Sequence, residues 1–473
     1  MEIPNSQTLG LAAIAILDIV AIGRLLLRAH GFEGGLSWIL GILAFPGIGA
    51  IAYLTLASPR IVSATRRIQK IVPPRRAGAG PEPFGTETSP SHALERLAST
   101  LTALPSTSGN RVDLMIEDEA AFDRIEAAII DATESVWAEY YIVCNDETGR
   151  RFLDLLTRKA QQGKQVHLIF DAVGSAGIDS NRLNALRAAG GRAEAFLPMN
   201  PLRRRWAVNL RNHRKMIIVD GRLAFTGGMN VGDQYSGRSR LKGEQSFHDT
   251  HLCVQGPAVM HLALIFAEDW AFATEELLPR PKPESPAPSQ GPATVSIVPS
   301  GPDQEWNASR LLFFTGLGGA SSRAWISSPY FIPDQATRMS LKAAALRGVD
   351  VRVLIPSRCD VWIVGLAVRA LLEELLIAGV RIYEFLPAML HAKTLVIDDE
   401  WGLVGSANVD MRSFRYNFEL GALVRDKDLA QALEDRFLED LSQSREILLE
   451  DCRRRGLFVR GLHGAASLLS PLL

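Results

Sequence analysis

His213-Arg214-Lys215-Met216-Ile217-Ile218-Val219-Asp220 recurs with the same spacing as His391-Ala392-Lys393-Thr394-Leu395-Val396-Ile397-Asp398. Each copy is followed at one offset by a small-residue pair and an asparagine, Gly227-Gly228-Met229-Asn230 and Gly405-Ser406-Ala407-Asn408. At average residue usage about one histidine in three hundred heads the string H-x-K-x4-D, so two copies with matching tails indicate a duplicated functional unit. The flanks repeat as well. Val136–Ile142 reads as a buried strand, Phe152–Ala160 as a helix and Gly163–Phe170 as a Gly-led strand; Ala324–Phe331, a helical stretch to Leu346 and Gly348–Ile355 repeat that order. Leu183–Ala189 and Leu371–Ala378 supply the next helices, and Met216–Val219 and Thr394–Ile397 are strands. This βαβ rhythm predicts an α/β fold of two similar lobes, each a largely parallel sheet covered by helices.

Outside the lobes the amino terminus stands apart. Leu9–Leu27 and Leu36–Leu56 are apolar over span length, which predicts an N-terminal pair of transmembrane helices. Asp18 would sit poorly at a bilayer centre, whereas Arg24 can snorkel from a helix end; Pro46-Gly47 and Gly49 are tolerable within a membrane helix. Glu2 at the start argues against a cleaved signal peptide. Arg60, Arg66, Arg67, Lys70, Arg75 and Arg76 then form a basic cluster, which the positive-inside rule assigns to the cytoplasm beside anionic lipid heads. Pro73–Pro90 and Pro279–Pro302 read as linkers. The expected division is a membrane anchor at 1–59, a basic segment and linker at 60–110, a first lobe at 111–278, an inter-lobe linker at 279–303 and a second lobe at 304–473. The 473 residues carry a formal net charge of −1, which calls for no nucleic-acid partner, and four scattered cysteines that read as free thiols.

On a strand, residues two apart point the same way, so His213 projects with Lys215 and His391 with Lys393. An ammonium beside an imidazole opposes a metal ion and suits an anionic substrate; neither a metal nor a cofactor is expected. Lysine supplies a charged donor to phosphate oxygens, Asn230 and Asn408 neutral ones, and the glycines let backbone approach the ligand. Each string is half a site. Phosphodiester transfer needs a nucleophile and a group that protonates the departing alkoxide, which two histidines across a pseudo-twofold axis provide. Aligning the halves makes Asp249 and Glu419 equivalent, as carboxylates that orient the histidines. Asp220 and Asp398 lie at strand ends, suited to fixing loops or neighbouring strands. His248 and His251 flank Asp249 in a metal-like trio, but strand alternation separates His248 from Asp249. His167 and His261 read as packing residues. The apolar stretch Asp360–Leu376 suits either core or an acyl-chain groove.

These residues resemble the signature of the phospholipase D superfamily, and among its members the bacterial cardiolipin synthases. Asn209–Lys215, Phe225–Asn230, Pro329–Asp334, Met389–Lys393, Met411–Phe414, Asn417–Glu419 and the terminal Leu468–Leu473 carry the likeness, as do Trp38 and Pro46–Gly49; Phe247 stands where a tryptophan is expected. The resemblance implies two lobes around one site, with His213, Lys215, Asp220, His391, Lys393 and Asp398 as active-site residues. It implies His213 as nucleophile and His391 as acid and base. The implied reaction joins two phosphatidylglycerol molecules into cardiolipin and releases glycerol, at the bacterial inner membrane, with the lobes on the cytoplasmic side. A hydrolytic phospholipase D, a transferase using phosphatidylethanolamine, a nuclease and a non-catalytic scaffold are the competing expectations; oligomeric state is not legible.

Overall fold

The protein is described by a computed structural model over residues 6–27, 32–54, 90–116, 118–198, 209–238, 246–278, 289–304 and 306–470. The basic cluster, most of the Pro73–Pro90 stretch and residues 279–288 lie outside the described residues. The chain divides into two units: Met1–Ala64 with Met199–Asn209, and Thr65–Pro198 with Leu210–Leu473.

In the first unit the helices are α1 (Ser6–Leu26), α2 (Phe32–Ala44) and α3 (Ile48–Ala52). The expected second span is therefore interrupted. Pro46 lacks the N–H that would continue the helix, and Gly47 turns the chain at φ 77°. Asp18, out of place in a simple span, holds this turn locally, since its Oδ1 accepts the Gly47 N–H at 2.9 Å. A Cβ on Gly49 would lie 2.6 Å from the Gly41 carbonyl oxygen, so glycine permits the close return of α3 onto α2. Ala21, Leu25, Ile42, Ala50 and Tyr53 are buried between the helices. Leu11, Ile16, Ile19, Leu40, Leu43 and Ile48 stay exposed on the outside. Among the described residues no helix is long and apolar enough to cross a membrane.

The second unit carries the duplication. Its first half contains β1 (Thr107–Met115), β2 (Ser135–Tyr140), β3 (Gln165–Asp171), β4 (Arg192–Phe196), β5 (Arg211–Asn212), β6 (Met216–Val219), β7 (Leu223–Gly227), β8 (Phe247–His248) and β9 (His251–Gln255). Its second half contains β10 (Ala293–Ser300), β11 (Arg323–Ser327), β12 (Asp350–Pro356), β13 (Arg381–Phe385), β14 (Met389–Leu390), β15 (Thr394–Ile397), β16 (Trp401–Gly405), β17 (Asn417–Arg425) and β18 (Ser444–Ile447). Among the described residues, 16 of these strands form one sheet, in the order β18-β13-β12-β11-β15-β16-β17-β10-β1-β9-β7-β6-β2-β3-β4 with β5 against β17. The order reads alike outward from the antiparallel β1–β10 pair, apart from the added edge strand β18.

Pairing is parallel across β2-β3-β4 and β11-β12-β13, where helices make the crossovers, but the histidine-bearing strands are antiparallel to their neighbours. The cause is connection length. Only Asp220–Arg222 separates β6 from β7, too few residues for the crossover a parallel pair requires. The sheet is thus mixed in both halves, where a largely parallel arrangement was expected. The expected inter-lobe linker also contains β10, buried along its whole length at the middle of the sheet. Its prolines and glycines fall at or beyond its ends, and it is fully covered because β1 and β17 flank it. The segment before residue 111 likewise holds α4 (Pro90–Thr102) and the start of β1; Leu94 and Ala98 of α4 belong to the core of the second half.

Helices α5 (Asp118–Asp131), α6 (Glu147–Gln161), α7 (Ser180–Ala188) and α8 (Ala258–Thr274) cover the first half. The second half has α9 (Ala308–Gly319), α10 (Gln335–Leu346), α11 (Trp362–Ile377), α12 (Met411–Arg415), α13 (Lys427–Ser442), α14 (Leu449–Arg453) and α15 (Leu457–Ser467). The caps are legible locally: Asp146, Asp179, Asp334 and Asp426 each accept first-turn backbone N–H groups. Val364, Ala367, Val368, Leu372 and Leu375 of α11 are core, and the cleft beside it has the Arg369–Glu384 ion pair on its wall. His167 packs edge-on to Trp137 and Trp270, as expected of a packing histidine.

Asp220 and Asp398 stand at the far ends of β6 and β15 from the histidines, both at φ 52°, a left-handed conformation that aspartate tolerates. Asp220 accepts the N–H groups of Thr133, Glu134 and Ser135 and the Thr133 hydroxyl at 2.8–2.9 Å. Asp398 does the same for Ser321, Ser322 and Arg323. Each carboxylate thus fastens the entry of β2 or β11 to the turn after the histidine strand, and none of these partners is a site residue. Asp220→Ala removes this whole set. It is expected to lower stability by about 2–4 kcal/mol in urea unfolding, with Asp220→Asn intermediate.

Candidate active site

The histidine strings do not assemble within their own lobes. β5 runs parallel to the start of β17, pairing Arg211 with Asn417 and Asn212 with Phe418, and β14 runs parallel to β8, pairing Met389 with Phe247 and Leu390 with His248. The His213 N–H then donates to the Phe418 carbonyl at 2.8 Å, and the His391 N–H to the His248 carbonyl at 2.7 Å. The next residue on each partner strand is the acid. His213 Nδ1 lies 3.3 Å from Glu419 Oε2, and His391 Nδ1 lies 2.5 Å from Asp249 Oδ2. Each histidine is therefore backed by the other lobe's carboxylate.

The two halves differ in tightness. The His391–Asp249 contact is a hydrogen bond, whereas the His213–Glu419 contact lacks hydrogen-bond alignment. Glu419 is shared: Ser406 Oγ donates to it at 2.5 Å and Asn417 Nδ2 at 3.1 Å. The residue equivalent to Ser406 is Gly228, where a Cβ would overlap the Asp249 carboxylate. One half thus combines glycine with the shorter acid, the other serine with the longer. Aromatic walls differ too. His213 packs on Tyr141 with ring centroids 4.4 Å apart, while His391 stacks on Phe247 at 5.1 Å with Tyr235 edge-on at 5.4 Å.

Lys215 Nζ donates to the His213 carbonyl at 2.6 Å, and Lys393 bonds the His391 carbonyl and approaches its Nδ1 to 2.8 Å. Burial, opposed by Glu419, Asp249 and Asp171, draws Lys215 down to about 7; burial opposed by Asp249 and Glu419 draws Lys393 down to about 8. Burial and Lys393 hold His391 at about 4 in the absence of substrate, and burial with Lys215 lowers His213. Lys393 acts on His213 and Lys215 on His391, so the four groups share one electrostatic site. Burial would raise Asp249, but Lys393 and His391 outweigh it and hold its carboxyl at about 2. Because kcat/KM reports free-enzyme ionisations, it is expected to decline in two stages as pH rises, first above about 4, as His391 loses a proton available for transfer, and again through 7–8, as the lysines lose the charge suited to an anionic substrate. An initial-rate profile from pH 4 to 9 checks this.

The asparagines part company. Asn230 Oδ1 accepts the Ile142 N–H at 3.2 Å, a backbone support, while the buried Asn408 Oδ1 has no hydrogen-bond partner among the described residues. His248 turns away from Asp249 to Asp440 at 2.9 Å, as alternation required. The sequence did not single out a second set of supports. Asp171 accepts the N–H groups of Asn212, Val173 and Gly174 at 2.9 Å, holding β5 in place. Glu139 accepts from Asn212, and Arg214 pairs with Asp269 while donating to the Glu419 carbonyl at 3.2 Å. Burial raises Glu139 well above the carboxylate range, with Asp269 adding to it. Their signal was an acid inside each of two apolar segments, Glu139 in a buried strand and Asp269 in an apolar helix.

Two like lobes that each deliver a histidine and a lysine to one site, and each support the other's histidine, define an enzyme of the phospholipase D-like fold. The family described as cardiolipin synthase, PLD-like domain matches residues 125–270 and 314–441, and the phospholipase D-nuclease N-terminal family matches residues 16–57. The chain is 36% identical to a cardiolipin synthase of Halalkalibacterium halodurans over 93% of its own length and 88% of the relative's. It is also 36% identical to cardiolipin synthase A of Pseudomonas putida over 98% and 97%. The crystal structure of a phosphatidylserine synthase from Haemophilus influenzae superposes with TM-score 0.61 at 14% identity, covering 80% of this chain and 100% of that one, a likeness of fold. The chain belongs to the cardiolipin synthase family of the phospholipase D superfamily, and is a phosphatidyltransferase.

Proposed function

We propose that this enzyme makes cardiolipin from two phosphatidylglycerol molecules through a phosphohistidine on His213. The carrying observation is the cross-lobe pairing, which gives one site two histidines with unlike support. His213, loosely held, is free to advance on phosphorus through Nε2. His391, fixed by Asp249, presents Nε2 for proton transfer. The lysines and the Asn408 Nδ2–H donors bind the phosphate oxygens, and the bound anion raises His391 from its substrate-free value so that it enters protonated. As the His213 N–P bond forms, the P–O bond to glycerol breaks and the oxygen takes the His391 proton. The hydroxyl of the second phosphatidylglycerol then returns a proton to His391 and attacks phosphorus, and the N–P bond breaks. Asp220 and Asp398 serve by holding the strand entries, Asn230 by holding Ile142.

The outward apolar side chains of α1–α3 suit a lipid surround, and the arginine-rich stretch after them supports the reading that the lobes face the cytoplasm at a bacterial inner membrane. The near-neutral charge gives no support to nucleic acid as a substrate. Purified enzyme in phosphatidylglycerol micelles with a chelator is expected to yield cardiolipin and glycerol in equal amounts. Phosphatidic acid as the sole product would establish hydrolysis instead, and ethanolamine release on adding phosphatidylethanolamine would identify that lipid as a donor.

A further inference from the structure

The last described helix, α15, is apolar on its outer side. Its inward residues include the buried His463 and Ala466, while Leu457 and Phe458 are 85% and 86% exposed and Leu462, Leu468 and Leu469 also face outward. Residues 456–462 are all exposed, so the start of the helix stands clear of the domain with its apolar side chains outward, and Leu468 and Leu469 extend that surface just past its end; a helix of a water-bathed domain buries such side chains. The segment is also cationic. From Cys452 to Ser470 it carries Arg453, Arg454, Arg455 and Arg460 and no carboxylate. Arg453 and Arg460 both reach Glu373, at 3.5 and 3.7 Å, and Arg454 pairs with Glu450 at 3.2 Å, so four arginines meet two paired acids and positive charge is left in excess.

Helix α15 packs on α11, to which Arg455 is also tied through the Arg369 carbonyl at 3.1 Å. At the start of α11, Trp362 is 70% exposed. Just before that helix, Asp360 accepts from the Tyr330 hydroxyl at 2.9 Å and lies within electrostatic reach of Lys393. The helix that carries α15 therefore begins at the rim of the candidate active site.

We propose that α15, flanked by its arginines, is an interfacial docking face that lies in the headgroup layer of an anionic bilayer and brings the site rim to its lipid. An apolar stripe with aromatic and leucine side chains and a basic flank is the chemistry such a layer recognises. This rests on the reading of the substrate as a membrane lipid. The full chain reconstituted in vesicles containing phosphatidylglycerol tests it in two arms. In the first, Phe458→Trp is expected to add emission that is quenched by acyl-brominated lipids. In the second, the double variant L457E/F458E is expected to lose at least tenfold in rate on vesicle phosphatidylglycerol and to stay within twofold on monomeric short-chain phosphatidylglycerol. Unquenched emission, as when another protein segment or a second copy covers the face, overturns the proposal. So does an equal loss on both substrates. An unsubstituted enzyme that makes cardiolipin from neither substrate would overturn the proposed function, and the quenching would still decide the docking.

Discussion

Replacing His213 by alanine is expected to lower turnover on the order of 10^4- to 10^6-fold with the fold intact. Removing the attacking atom of a covalent mechanism leaves only the binding and electrostatic contributions, and these sustain a small residual rate. The side chain is partly exposed and its Nδ1 makes no aligned hydrogen bond, so its loss leaves no buried group newly orphaned apart from a weaker partner for Glu419. An unchanged unfolding midpoint checks that condition. His391→Ala is expected to be milder, about 10^2- to 10^4-fold, because it removes proton transfer alone. The two variants separate on a phosphatidyl ester of nitrophenol, whose leaving group needs no acid. His391→Ala then releases one equivalent of nitrophenolate and stalls with the phosphatidyl group on His213, whereas His213→Ala gives no burst. Label found on His391 in the unsubstituted enzyme would reverse the roles.

The next largest effect is expected from the carboxylates, and it should cross between the lobes. Asp249→Asn removes the acceptor that fixes the His391 tautomer and is expected to lower kcat by about 10^3-fold, within the range set by losing His391 itself. Glu419→Gln should cost less, about 10^2-fold, since Ser406 and Asn417 already share that carboxylate and its hold on His213 is loose. Histidine NMR separates a cross-lobe from a same-lobe arrangement: Asp249→Asn shifts the resonances of His391, and Glu419→Gln those of His213. A shift of His213 on changing Asp249 would contradict the cross-lobe pairing.

The buried lysines give activity and stability opposite dependences on pH. Lys215 and Lys393 are held in the folded protein at about 7 and about 8, below the ordinary lysine range. Between those values and the unfolded value near about 10.4 the unfolded chain binds more protons, so unfolding free energy rises with pH. The same deprotonation removes the charges proposed to bind phosphate. From pH 7 to 9 the ligand-free enzyme is thus expected to become more stable to urea while its kcat/KM falls.

Much of this protein was legible locally. The spacing of His213 and Lys215, repeated at His391 and Lys393, marks a duplicated phosphoryl-transfer unit, because chemistry at an anion restricts the residue types. Strand alternation separated His248 from Asp249, and alignment of the halves found Asp249 and Glu419. The misses share one cause. β10 looked like linker because its burial comes from β1 and β17, distant in sequence, and the second apolar stretch looked like one span because the partner of Gly47, Asp18, lies a helix away. Glu139 and Asp269 looked like exceptions in apolar segments until Asn212 and Arg214 met them.

By itself the sequence determined which groups are the candidates for the chemistry, that there are two sets of them, and which strands and helices carry them, since residue type, period and capping act over a few neighbours. Tertiary structure alone decided which acid serves which histidine. Asp249 is 142 residues from His391. Its position is set by the register of the two-residue ladder of β8 against β14, as that of Glu419 is by β5 against β17, and such pairings between lobes depend on how a whole sheet closes about its centre.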